Sequence, residues 1–176
     1  TLQENEIKTD YLIQNNGDNE MLFSIGGHPA FNCPISSKER FEDYELEFEY
    51  EEEVTQIHLN KDTGLRNGKE TKEKIGKKIS LDYNLFKNDA LIYQGLKSNS
   101  VKLQSKKTDH AIEFNFEGWE YLAFWTKKKG TPFICIEPWL GVTDPDDSTQ
   151  IFSDKTGIQL LNKEESKQVF YSIKVS

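Results

Sequence analysis

The chain is predicted to be all-β, an antiparallel β-sandwich built as a single domain from residues 1–176. Two observations carry that prediction. Residues 41–50 alternate strictly, with Tyr44, Leu46, Phe48 and Tyr50 on one side and Glu45, Glu47 and Glu49 on the other, the period of a half-buried strand. From Ser100 onward, short apolar runs recur about every ten residues with turn residues between them, a spacing that marks a sandwich or barrel. No stretch demands a helix of any length.

Taken in order, residues 7–14 and 21–25 are two apolar runs around an Asn16-Gly17-Asp18 turn signal, hence strand, turn, strand. The second of them delivers His28. Residues 41–50 and 54–59 read as separate strands, and the glutamates of the first as a solvated sheet face. From 60 to 78 the text is Lys, Asp, Gly, Asn and Glu with few apolar residues, which reads as a long surface loop or an irregular hairpin. Residues 79–83 restart order, 84–89 hold a short helical turn, and 90–93 form a strand. Strands follow at 100–104, 111–116, 121–125 and 133–136, with Lys127-Lys128-Lys129 read as the solvated tip of a hairpin. Asp144-Pro145-Asp146-Asp147 is an acidic loop, 162–165 a turn, and 168–175 the closing strand.

The formal charge of -8 argues against a nucleic-acid partner, which needs a concentrated basic surface to release counterions. No apolar run approaches the roughly 20 residues of a membrane helix, and the start does not resemble a signal peptide, so no membrane partner is expected. Cys33 and Cys135, the two cysteines, are too few for a secreted disulfide framework and lie among apolar neighbours, which points to the cytoplasm. The sequence leaves open whether they approach each other. The first residue is Thr1 rather than Met, and the front of the natural protein is expected to be absent.

Two stretches could carry chemistry. In Gly26-Gly27-His28-Pro29-Ala30-Phe31-Asn32 a Gly-Gly pair precedes a side chain that titrates near neutral pH, as if the backbone were being freed to turn there. His28 reads either as catalytic or as a histidine packed in a turn. In Phe133-Ile134-Cys135-Ile136-Glu137-Pro138-Trp139 period two puts Glu137 on the face of Phe133 and Cys135, so the carboxylate is either buried and in need of a function or exposed at a strand end. Trp139 offers a flat apolar wall of the kind that packs on the C–H face of a pyranose. Asp89 reads equally as a turn cap or a ligand group, while His58 and His110 are expected to face solvent. There is no CxxC pair, no HExxH, no GxSxG and no phosphate-cradling glycine loop. With three histidines far apart in the sequence, neither a metal site nor a cofactor is expected.

Together, Phe23-Ser24-Ile25-Gly26-Gly27-His28-Pro29-Ala30-Phe31-Asn32, Ile136-Glu137-Pro138-Trp139 and the Leu161-Asn162-Lys163-Glu164-Glu165 turn resemble the aldose 1-epimerase (galactose mutarotase) family, closest to its LacX-like branch. The resemblance implies a β-supersandwich and a cofactor-free interconversion of the α and β anomers of a hexose, galactose or a phosphorylated relative. It implies His28 as general acid, Glu137 as general base and Asp89 near a sugar-hydroxyl ligand, and Asn32, the amide of the histidine loop, and Trp139, the flat wall, are expected beside them as substrate-binding residues. A carbohydrate-binding sandwich without turnover is the alternative. Members of the family also carry an upstream stretch with a substrate-binding arginine and a further histidine. The resemblance therefore implies a missing N-terminal segment, or a second chain that completes the fold.

Overall fold

The computed structural model describes residues 1–127 and 129–176. The expected hairpin tip at Lys127-Lys128-Lys129 thus falls partly outside the described residues, at Lys128.

The predicted all-β class is what the chain adopts, and among the described residues there are three 3-10 turns and no α-helix. The strands are β1 (Leu2–Gln3), β2 (Glu6–Gln14), β3 (Met21–Phe23), β4 (Ile25–Gly26), β5 (Ala30–Asn32), β6 (Tyr44–Leu59), β7 (Arg66–Ser80), β8 (Leu91–Gln94), β9 (Ser100–Ser105), β10 (Ala111–Asn115), β11 (Tyr121–Trp125), β12 (Phe133–Leu140), β13 (Gln159–Leu161) and β14 (Ser166–Val175). Twelve of them form one sheet in the order β1-β2-β14-β10-β9-β6-β8-β11-β12-β4, with β5 also on β12 and β7 on β6, while β3 and β13 pair separately. Paired strands in both sheets run antiparallel.

The two faces of the large sheet bury different residues. Leu46, Phe48 and Val54 of β6, Leu122 and Phe124 of β11, and Ile134, Ile136 and Leu140 of β12 all enter the main core. The alternate positions Ile57, Ile92, Tyr121 and Ala123 form a second, smaller cluster with Val142. Because side chains alternate across a strand, that second cluster covers the opposite face. It is the floor of the candidate site.

One expectation is corrected here and an open one is decided. Residues 44–59, read as two strands, are one 16-residue strand whose register against β7 shifts between Glu47 and Glu52. The irregularity lets the first half of β6 pair with β9 and the second with β8, and it leaves Tyr50 exposed where alternation would have buried it. Residues 60–78, read as a long loop or an irregular hairpin, are the second of these: they contribute most of β7, a 15-residue strand that folds back on β6 with register shifts. Its apolar periodicity is missing because it is largely exposed. Charge supports the pairing instead: Lys78 Nζ lies 2.7 Å from Glu45 and 3.4 Å from Glu47, and Lys77 Nζ lies 3.6 Å from Glu47. Surface pairs of this kind contribute little each.

The acidic loop and the closing strand occur where expected, and a short 3-10 turn at Tyr83–Phe86 overlaps the first half of 84–89, the segment read as helical. His110 is exposed as expected, whereas His58 is half-buried with Nε2 2.8 Å from Thr71 Oγ1.

Candidate functional site

His28 and Glu137 come together through register. Gly26 pairs with Trp139, and Ala30 pairs with Cys135, so the same offset carried through the gap between β4 and β5 sets His28 opposite Glu137. Pro29 lacks an N–H to continue a ladder, yet its carbonyl accepts from Ile136 N at 3.2 Å, and Pro138 O accepts from Gly27 N at 2.9 Å. These two bonds hold the unpaired residue in line. His28 Nδ1 then lies 3.4 Å from Glu137 Oε1, with the imidazole 63% exposed and the carboxyl 6%.

The Gly-Gly pair is explained by close approach. Neither Gly26 nor Gly27 is among the glycines with positive φ, so the expected freedom to turn is not what the site uses. A Cβ on Gly26 would lie 2.6 Å from Trp139 Cδ1, and one on Gly27 2.7 Å from Tyr171 Cε1. The missing side chains let the Trp139 indole and the Tyr171 ring pack directly on the backbone.

Cross-strand partners point to the same face, so the pairings Ile57 with Ile92, Ile92 with Ala123, and Ala123 with Glu137 define one row across four strands. Three apolar neighbours precede the carboxyl. Burial among them raises the Glu137 pKa to about 7, helped by the charge of Asp89 and opposed by a hydrogen bond from the Trp139 side chain. A carboxyl with its ordinary value near 4.5 would be wholly ionised at neutral pH. This one is divided between its two forms.

A cleft of about 430 Å³ opens over the pair, lined by Ser24, Gly27, His28, Glu137, Trp139 and Lys155 among others. A further hollow of about 210 Å³ shares His28, Glu137, Trp139 and Thr143 with it and adds Asp89, Ile92 and Trp125. The larger volume is within the usual range for small-molecule sites. Of the five residues singled out from the sequence, His28, Glu137, Trp139 and Asp89 meet here. Asn32 does not: it is exposed on β5, opposite Phe133, and lines neither hollow. Asp89 adopts φ +82, and its carboxylate accepts from Ala90 N at 2.7 Å.

Trp125 was not anticipated. It meets the His28 ring edge-to-face at 6.4 Å, and its signal was the period-two continuation of Tyr121 and Ala123, hidden inside an apolar run. Thr143 was also missed. Arg66 donates from Nε to its carbonyl at 2.8 Å and from a terminal nitrogen to Thr156 Oγ1 at 2.7 Å, pinning that wall from β7. Cys33 and Cys135 are both buried free thiols, each pushed up to about 12 chiefly by burial.

An antiparallel sheet thus carries a histidine and a buried carboxyl opposed at one cleft, and the chain belongs to the aldose 1-epimerase family. The aldose 1-epimerase family matches residues 1–152. Among individual relatives, the chromosomal LacX protein of Lactococcus lactis subsp. lactis is 32% identical over 178 residues, which cover 99% of this chain and 60% of that protein. A galactose mutarotase related enzyme from Lactobacillus acidophilus superposes with a TM-score of 0.91 at 27% identity, covering 99% of this chain and 59% of that one. A galactose mutarotase-like protein from Lactobacillus casei does so with a TM-score of 0.84 at 25% identity, covering 96% and 58%. The chain therefore spans about 60% of the length of the curated relative. Among the described residues no helix is long and apolar enough to cross a membrane.

Proposed function

We propose that the chain carries the acid–base pair of an aldose 1-epimerase, with His28 as general acid and Glu137 as general base on a hexose. The observation that carries this is the 3.4 Å separation of Nδ1 and Oε1. Ring opening requires a proton delivered to the ring oxygen and another removed from the anomeric hydroxyl, and both oxygens are bonded to C1. The two catalytic groups must therefore stand side by side. Glycoside hydrolysis instead needs two carboxyl groups about 5–9.5 Å apart, one on each side of the scissile bond, and this pair does not supply them.

In the forward direction the His28 imidazolium protonates the ring oxygen, Glu137 takes the hydroxyl proton, and the C1–O5 bond breaks to give the open-chain aldehyde. After rotation about C1–C2, Glu137 returns its proton to the carbonyl oxygen as O5 attacks, and His28 recovers the other. Trp139 and Trp125 flank the pair as apolar walls, and Asp89 is placed to accept from a sugar hydroxyl. A neutral sugar suits the cleft better than a phosphorylated one. Lys155, the cation lining it, is already paired with Asp144 at 3.1 Å.

Anomer exchange of a freshly dissolved α-hexose, followed by polarimetry or NMR, tests the reading. Acceleration over buffer supports it. Sugar binding without acceleration returns the chain to a carbohydrate-binding sandwich, and neither binding nor acceleration removes both.

The pH dependence is a second expected result. Since Glu137 is raised to about 7, its basic form is scarce below that value, so the rate falls on acidification. Between pH 8 and pH 6 the ionised fraction of Glu137 drops about tenfold, which shapes the acid limb of a bell-shaped kcat/KM profile whose basic limb comes from the requirement for a protonated general acid. An acid limb at the ordinary carboxylate value would mean that the burial of Glu137 has no bearing on the reaction.

A further inference from the structure

The face that holds the acid–base pair holds a third donor. Trp125 pairs with Cys135, and Cys135 with Ala30, which puts the thiol one row from Glu137 on the same side of β12. A ring nitrogen of His28, the Cys135 sulfur and a carboxylate oxygen of Glu137 all lie within 4.8 Å of one another. A search of the sequence for clustered histidines could not find this group, because register assembles it from two distant segments.

We propose that His28, Cys135 and Glu137 form a three-donor site for a thiophilic divalent cation of the zinc type, whose occupation shuts down the acid–base pair. With metal–ligand bonds of about 2.0–2.3 Å, the donors of a tetrahedral site stand roughly 3.3–3.8 Å apart. His28 and Glu137 already meet that spacing at 3.4 Å. Cys135 is within about an ångström of it, and the exposed His28 ring has room to follow. One nitrogen, one sulfur and one oxygen are the ligand types that zinc and cadmium accept, while the sulfur disfavours magnesium and calcium.

The remaining features of the group agree with a binding site. His28 and Glu137 line both hollows and the imidazole is largely exposed, which gives a cation its way in to the two of them, with the buried Cys135 thiol behind them. Three protein donors leave a fourth position open to water. A bound cation would occupy the lone pairs of both the proposed acid and the proposed base, so rate and occupancy should be reciprocal. The inhibitory effect rests on the epimerase reading; the binding does not.

Titration of the purified chain with Cd²⁺ reads the site directly. A thiolate-to-cadmium charge-transfer band should grow in the ultraviolet and saturate at one ion per chain. It should persist in Cys33→Ser and vanish in Cys135→Ser. His28→Ala, which alters an exposed side chain and leaves the core alone, should weaken the titration by about tenfold or more, a direct ligand being worth at least as much as an outer-shell partner. In the anomer-exchange assay Zn²⁺ should slow the reaction and a chelator restore it. No band at saturating Cd²⁺ in the folded wild-type chain, or a band that disappears with Cys33 instead, overturns the proposal. A chain that shows the band yet no anomer exchange keeps the metal site and loses the epimerase reading, and the converse result does the reverse.

Discussion

Glu137→Gln should lower the anomer-exchange rate by about 10²–10⁴-fold, the range expected for a positioned general base, while the chain stays folded. The amide keeps the shape of the carboxyl, but it neither takes nor returns a proton at neutral pH. Its stability also discriminates. In the folded chain the Glu137 carboxyl is raised from 4.5 to about 7 by burial, so it holds its proton more tightly than the unfolded chain does. The stabilisation linked to that proton is complete below about pH 4.5 and is lost as pH rises through about 7. At pH 8 the wild type therefore bears a desolvated carboxylate that the glutamine variant lacks, and thermal unfolding at that pH should find the variant at least as stable. An inactive variant that is also much less stable at pH 8 would point to a structural carboxylate. His28→Ala should lose activity on the same scale with little change in stability, because the imidazole is largely exposed. The double variant should lose little more than the worse single one, since the two groups act as a unit. Losses that multiply would mean that His28 and Glu137 work independently.

What the sequence revealed of this site follows the physical range of each signal. His28 and Glu137 were legible because each stands out locally, one beside a Gly-Gly pair and the other as a carboxylate on an apolar strand face. That the two would face one pocket was expected, but the pairing that sets one opposite the other was not legible, since it depends on the register of Gly26 with Trp139 and of Ala30 with Cys135, and pairing partners far apart in the chain leave no periodicity to read. The same limit hid Trp125, whose row is defined only once β11 and β12 are paired, whereas period two already set Cys135 on the face of Glu137. Asn32 was included because it closes the histidine motif, yet two strand steps beyond Ala30 carry it away from the cleft. In the fold, the alternation of Tyr44, Leu46 and Phe48 announced β6, whereas β7 had a composition that fitted a loop as well as an irregular hairpin. An exposed strand that pairs through Lys77 and Lys78 to glutamates needs no apolar face, so hydrophobic periodicity cannot detect it.

Gly26→Ala should both destabilise the chain and impair sugar binding, though it adds a single methyl. Gly26 lies outside the positive-φ region, so alanine meets no backbone strain there, and the whole effect is steric. The new Cβ would stand 2.6 Å from Trp139 Cδ1 and 3.3 Å from its Nε1, inside van der Waals contact, so the indole must move. Trp139 is on β12 between the buried Pro138 and Leu140, which leaves its ring as the part that yields. Overpacking of this kind costs about 1–3 kcal/mol, and in a chain of this length each kcal/mol lowers Tm by about 2–4 °C. The displaced ring also lines both hollows and holds down the proton affinity of the Glu137 carboxyl, so KM should rise and the acid limb of the pH profile should move upward as that influence weakens. Coupling to Trp139 is the deciding measurement. If the clash is the cause, Gly26→Ala should cost less stability in a Trp139→Leu background than in the wild type, a negative interaction energy of the kind neighbouring residues show. Strict additivity of the two substitutions would mean that the bare backbone at position 26 has no part in seating the indole.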